Sequence, residues 1–233
     1  MSGRLGSARP LHTIGLVSDE ARTEAGTDGE TEEREALEAE LLERRDAALA
    51  HVLKFGDPVL KSVASPVAEF GPELRAEAER MMAIMRDAMG VGLAATQVGI
   101  LRRLLVFQAG SDGEPTALVN PEIEWVSEDA VVAEEGCLSL PRVSLDVERP
   151  LHARVRGADL EGVELRIEAS GLEARVLQHE IDHLDGVLIL DRAPRPQRKA
   201  ALRALREGDS YSPPIDYEDE GGGEEHREPP TEA

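Results

Sequence analysis

Along residues 73–89 the apolar side chains Leu74, Ala78, Met81, Met82, Met85 and Met89 recur every three or four positions. That spacing predicts a helix with one face turned to a core, and the methionines read as gap-fillers in that core. The pattern then changes. Residues 104–107 (LLVF) and 117–119 (ALV) are short apolar runs that predict strands, joined by a hairpin loop at Gly110-Ser111-Asp112-Gly113. Residues 143–147 and 153–156 continue the strand pattern, and residues 160–163 read as a turn into a further strand at 164–169. Helical spacing returns over 172–184. Strands gathered around such a helix define an α+β domain.

The ends of the chain differ from this middle. Residues 1–30 are rich in Gly, Ser, Thr, Asp and Glu and are expected to lack structure. Residues 31–50 (TEEREALEAELLERRDAALA) are strong helix formers with a narrow stripe at Leu37, Leu41 and Leu42, the pattern of a solvated helix. Order is expected from about His51, where Gly56-Asp57-Pro58 marks a turn. Beyond residue 192 a basic segment (Arg195, Arg198, Lys199, Arg203 and Arg206, preceded by Arg192) favours a helix. It is followed by an acidic tail at 207–233 with Gly221-Gly222-Gly223 and Pro229-Pro230, read as flexible. The expected organisation is an acidic extension (1–49), a catalytic domain (50–192), and a basic helix with its tail (193–233).

Charge changes the picture less than its size implies. The net charge is −21, but residues 19–46 (12 acidic, 4 basic) and 207–233 (10 acidic, 1 basic) carry most of it. The excess belongs to the ends, and it argues against DNA or general nucleic-acid binding. Aromatic residues are only 3% of the chain, so the core must be aliphatic. A single cysteine excludes an internal disulfide and fits a reducing compartment. No run approaches the length of a membrane span, and residues 11–17 are too short and mixed for a signal peptide, so a cytoplasmic location is expected.

Three stretches carry chemistry. His179-Glu180-Ile181-Asp182-His183 places two imidazoles four residues apart, on one face of the predicted helix, where both can reach one metal ion. Glu180 sits beside that face, suited to handling the proton of an activated water. A third ligand is offered by Cys137, preceded by a glycine turn at Gly136. Two imidazoles and a thiolate leave a tetrahedral position open, as catalytic sites do. The third stretch, Gly90-Val91-Gly92-Leu93-Ala94-Ala95-Thr96-Gln97, has alternate glycines that permit close backbone approach and ends in an amide donor suited to an oxyanion. Taken alone it also reads as a glycine turn out of a helix. Glu135, Asp182 and Arg149 are candidates for orienting the ligands.

Together these stretches resemble the peptide deformylase family, through Gly90 to Gln97, Glu135-Gly136-Cys137-Leu138-Ser139, and His179 to Gly186, in that order. Phe55 to Leu60 and Leu118-Val119-Asn120-Pro121 are similar as well, and the resemblance spans about residues 50–192. It implies mostly antiparallel strands around a central metal-binding helix. It also implies removal of the N-formyl group from the initiator methionine of new proteins, with release of formate. Cys137, His179 and His183 would hold one Fe(II), for which Ni, Co or Zn can substitute. Glu180 would move the proton, and the Gln97 side chain and Leu138 N–H would hold the formyl oxygen. Gly92, with Val91 and Leu138, would align the N-formylmethionyl peptide as an added strand beside an apolar methionine pocket. The basic helix of such an enzyme is suited to a transient ribosome contact, or is a solvated helix paired with the acidic tail. The residues alone specify hydrolysis of an amide-like carbonyl and leave open a metallopeptidase or a non-catalytic binding protein.

Overall fold

The computed structural model describes residues 27–108 and 113–214. The segment before residue 27, most of the expected hairpin loop (109–112) and the tail after 214 lie outside the described residues. The chain divides into two compact units, residues 1–40 and 41–233. In the first, the described residues form the opening part of helix α1 (Thr27–Leu49), which starts four residues earlier than the composition predicts. Leu37 there is 57% exposed, as expected of a solvated helix, and Leu41 and Leu42 beyond it are exposed too.

In the second unit, α2 (Pro72–Asp87) precedes β1 (Gly92–Ala94), β2 (Leu104–Phe107), β3 (Thr116–Val126), β4 (Ala130–Cys137), β5 (Leu140–Pro150), β6 (His152–Ala158) and β7 (Glu164–Ser170). Helices α3 (Leu172–Leu184), α4 (Ile189–Arg192) and α5 (Arg195–Glu207) complete it. An antiparallel sheet runs in the order β1-β2-β3-β6-β7, and β4 and β5 form a separate antiparallel hairpin.

Strand β2 is buried on both faces, which is why it reads as an unbroken apolar run rather than an alternation. Leu104 and Val106 pack with Leu74, Met81 and Met85 of α2. Leu105 and Phe107 pack with Ala174, Leu177, Ile181 and Leu184 of α3. A third cluster joins Leu140, Val143, Leu145 and Val147 of the hairpin to residues 188–190 and Ala201 of α5. Helix α3 therefore lies under the sheet with its other side free to meet the hairpin.

Several expectations are corrected here. Met89 falls after α2 ends, in a left-handed conformation (φ 59°), and is exposed rather than part of the buried face. Strand β4 had no sequence signature because most of its residues are exposed and no apolar alternation is required; its pairing with β5 holds it. Strand β3 runs on through Asn120-Pro121, and the ladder absorbs the proline at a register shift between Val119 and Glu122. Gly136 makes no turn: it lies within β4, opposite Ser144. The tail does not come free at residue 207. Glu207 closes α5, Tyr211 N–H donates to Arg142 O, and Ser144 N–H donates to Tyr211 O, so the chain returns along β5.

Candidate active site

The first turn of α3 needs no side-chain cap to be placed, because its apolar face is fixed by the sheet; its opposite side presents His179, Glu180 and His183 toward the end of β4. Cys137 is the last residue of β4, at the start of the two-residue turn Leu138-Ser139 that leads into β5. The ligating atoms of Cys137, His179 and His183 all lie within 4.8 Å of one another. Cys137 Sγ is 3.2 Å from His183 Nε2. His179 Nδ1 is 3.0 Å from a Glu135 carboxylate oxygen, which leaves Nε2 available to a metal. A thiolate and two imidazoles converging on one point, each drawn from a rigid element, fit a metal ion of the transition series.

Charge around this cluster is tuned from behind. Burial opposes ionisation of Glu135, but His179 and Arg149 outweigh it and bring its pKa down to about 2. Burial likewise works against the Cys137 thiolate, yet His183 and His179 hold the thiol well below its ordinary value, which favours the charged form a metal ligand needs. Arg149, 3% exposed, donates from Nε to Glu135 (2.6 Å) and from a terminal nitrogen to Asp182 (2.9 Å). The three orienting candidates thus form one ionic chain, and it ties β4, β5 and α3 together. Two further members were not marked by the sequence. Arg175 donates to Glu135 (2.6 Å) and Arg192 to Asp182 (2.9 Å). Arg175 stands one helical turn before His179, a spacing that could have pointed to it; Arg192 carried no local signal. Its engagement with Asp182 also removes it from the basic set of α5.

Gln97 ends the glycine stretch in a short 3-10 turn at Ala95–Val98. Its Oε1 accepts the Ala94 N–H (2.8 Å), so its NH2 end faces Ser139 Oγ (3.3 Å) and Cys137 Sγ (3.7 Å). Glu180 is buried and burial is the main cause that raises its carboxyl pKa; its Oε2 has no partner. Gly92 is glycine because a Cβ there would lie 2.8 Å from Glu180 Cγ. Gly186, closing the last motif, has φ +72°, and a Cβ would sit 2.7 Å from the Lys61 carbonyl oxygen.

These groups open onto a cavity of about 890 Å³ lined by Gly92, Gln97, Cys137, Leu138, His179 and Glu180 among others. Val91 lines it as well, but its carbonyl accepts the Gln108 N–H (3.0 Å), one residue beyond the β1–β2 ladder and in its register. Antiparallel alternation then turns the Gly92 N–H and C=O away from β2, at the edge of the sheet. Residues 141–144 also line the cavity, without any motif to announce them. His51 and His152 lie apart from the cluster.

A half-buried thiolate–imidazole cluster, a neighbouring buried carboxyl with one unpartnered oxygen and an amide donor, held by an α+β frame, define a metal-dependent hydrolase. Comparison with known proteins narrows the class. The family described as polypeptide deformylase matches residues 49–199. A peptide deformylase of Parafrankia sp. (strain EAN1pec) is 44% identical over 159 residues, covering 68% of this chain and 86% of the relative. One from Thermotoga neapolitana is 46% identical over 149 residues, covering 64% and 89%. Among solved structures, a peptide deformylase from Synechococcus elongatus in complex with actinonin superposes with a TM-score of 0.64 at 41% identity, covering 68% and 88%. That of Thermotoga maritima gives 0.60 at 45%, covering 61% and 96%. The chain belongs to the peptide deformylase family, hydrolases that remove the N-formyl group from nascent polypeptides. No helix among the described residues is long and apolar enough to cross a membrane.

Proposed function

We propose that this chain deformylates N-formylmethionyl peptides through Cys137, His179 and His183 as metal ligands, Glu180 as the proton carrier, and Gln97 with the Leu138 N–H as the oxyanion donors. The observation that carries the reading is the convergence of three ligand atoms within 4.8 Å beside a buried carboxyl whose second oxygen is unpartnered. The proposed metal is one Fe(II) per chain, which suits a mixed thiolate and imidazole set, with Ni, Co or Zn as substitutes. When bound, it supplies Lewis-acid polarisation and activates water.

The protein's own groups do the rest. Glu180, raised by burial, accepts a proton from the attacking water and returns it to the departing amine nitrogen. As the formyl carbonyl becomes tetrahedral, its oxygen takes hydrogen bonds from the Gln97 NH2 and the Leu138 N–H. Removing one such donor typically costs about 3–4 kcal/mol of transition-state stabilisation. The outward-facing groups of Gly92 hold the peptide as an added strand, and Val91 and Leu138 flank it, so that grip comes from main chain and selectivity from an apolar methionine pocket. The exposed cations of α5, namely Arg195, Arg198, Lys199 and Arg206, are suited to transient contact with ribosomal RNA.

The test is hydrolysis of a formyl-Met tripeptide, set beside an unformylated longer peptide, by the iron-loaded protein and by Glu180→Gln. Formate release by the wild type alone, with full metal in both proteins, is expected. Wild-type turnover by the variant would remove Glu180 from its role.

A further inference from the structure

We propose that Lys54 is a positioning residue for the oxyanion site, fixing the Leu138-Ser139 turn from the end of helix α1. The inference rests on the assignment of Gln97 and Leu138 as the oxyanion donors. A two-residue turn between paired strands leaves its own carbonyls without ladder partners. Here those carbonyls are taken by a segment more than eighty residues away in sequence. Lys54 Nζ donates to Leu138 O (3.4 Å), and Phe55 N–H donates to Ser139 O (2.8 Å). The preceding residue holds the other donor: Leu53 N–H donates to Gln97 O (2.7 Å). Residues 53–55 therefore grip both sources of the oxyanion donors at once.

What steadies the grip is the end of α1. Lys54 Nζ also donates to the carbonyl of Leu49, the last residue of that helix (2.7 Å), where a cation is favoured by the unsatisfied C-terminal carbonyls. Ala48 and Val52, on either side, are buried and fix the helix end against the domain. The half-buried ammonium is thus a bridge with one foot on a rigid helix and the other on the turn that carries Leu138. The Leu138 carbonyl and the Leu138 N–H belong to adjacent peptide planes, so a turn free to rock would re-aim the donor. Lys54 does not line the cavity, although its charge is felt at Cys137; with metal content held equal, its effect would be on the developing oxyanion, not on substrate affinity.

The experiment compares metal-loaded full-length wild type, Lys54→Met, Lys54→Arg, Gln97→Ala and the Lys54→Met/Gln97→Ala double variant with a formyl-Met tripeptide. Misplacement of a transition-state donor predicts a kcat loss of about ten- to hundredfold in Lys54→Met. KM should stay within about twofold with bound metal stoichiometric, and Lys54→Arg should recover most of the loss. Because both residues serve one oxyanion, the double variant should fall well short of the product of the single losses. Unchanged kcat in Lys54→Met, a loss confined to KM or traced to missing metal, or fully multiplicative losses would overturn the inference. If Gln97→Ala is impaired beside an unimpaired Lys54→Met, this inference alone fails; if Gln97→Ala keeps wild-type kcat, the oxyanion assignment fails and takes it along.

Discussion

Replacing Gly92 with alanine should disable the enzyme while leaving it folded. A Cβ at residue 92 would sit 2.8 Å from Glu180 Cγ and 2.9 Å from Cδ, with Oε1 closer still. Ordinary carbon contacts begin near 3.4 Å, so the carboxyl group must retreat by about 0.5 Å or more. Glu180 is buried, which leaves it little room except along its own torsions. The backbone at Gly92 has no positive φ, so alanine introduces no strain in the strand. The cost therefore falls on the position of the carboxyl, not on the fold. Displacements approaching 1 Å cost on the order of a hundredfold in rate, so kcat should fall by about ten- to hundredfold. Steady-state kinetics on a formyl-Met tripeptide, with metal content and Tm measured in parallel, decides the matter. Wild-type kcat in a fully metallated Gly92→Ala would refute the argument that glycine is there to make room for the proton carrier.

Four other outcomes follow from the same geometry. Arg149→Met leaves Glu135 and Asp182 buried with fewer partners and should cost about 3 kcal/mol, since Arg175 and Arg192 remain; a thermal melt should show Tm lower by about 6–12 °C, and an unchanged melt would deny the network a structural role. Cys137→Ser replaces a soft charged ligand by a neutral hydroxyl and should lose most bound metal at neutral pH; stoichiometric metal in the variant would remove Cys137 from the site. Iron-loaded enzyme should lose activity in aerated buffer while the nickel form persists, because Fe(II) beside a thiolate invites oxidation of both; equal lifetimes would contradict an iron–thiolate centre. Deleting residues 215–233, which are rich in Asp and Glu, should strengthen co-sedimentation with ribosomes at low salt and lose the effect as salt rises; identical sedimentation at every salt concentration would leave α5 a structural helix.

The sequence made the helix of the two histidines legible to its end residues, because α3 has both an apolar period and a glycine on each flank. The strands that pack on two cores were legible for the same reason: Leu104 to Phe107 must be apolar throughout. What could not be read was structure held by pairing alone. Residues 130–137 have mostly exposed side chains, so nothing in their pattern required a strand, though the strand is what delivers Cys137. The candidate ligands, which the structure brings together, were legible as residue types at known spacings. Their neighbours were not, because Arg175 meets Glu135 of a distant strand and Arg192 meets Asp182 from a separate helix, and a lone cation in a sequence looks the same whether it faces water or a buried carboxylate. Met89 shows the opposite failure, a residue in perfect helical phase that a left-handed backbone turns outward.

Strand β1, at three residues, is among the shortest elements of the chain, and it forms one edge of its sheet. An edge that short offers too few unpaired groups to recruit another sheet, which spares the protein a common route to self-association. For the proposed substrate the same brevity sets the breadth of action. A three-residue edge would grip only one or two peptide units, and apart from proline every residue offers the same main-chain groups over that span. On the proposed binding mode, an enzyme so built would meet newly made proteins on nearly equal terms, whatever follows the first residues.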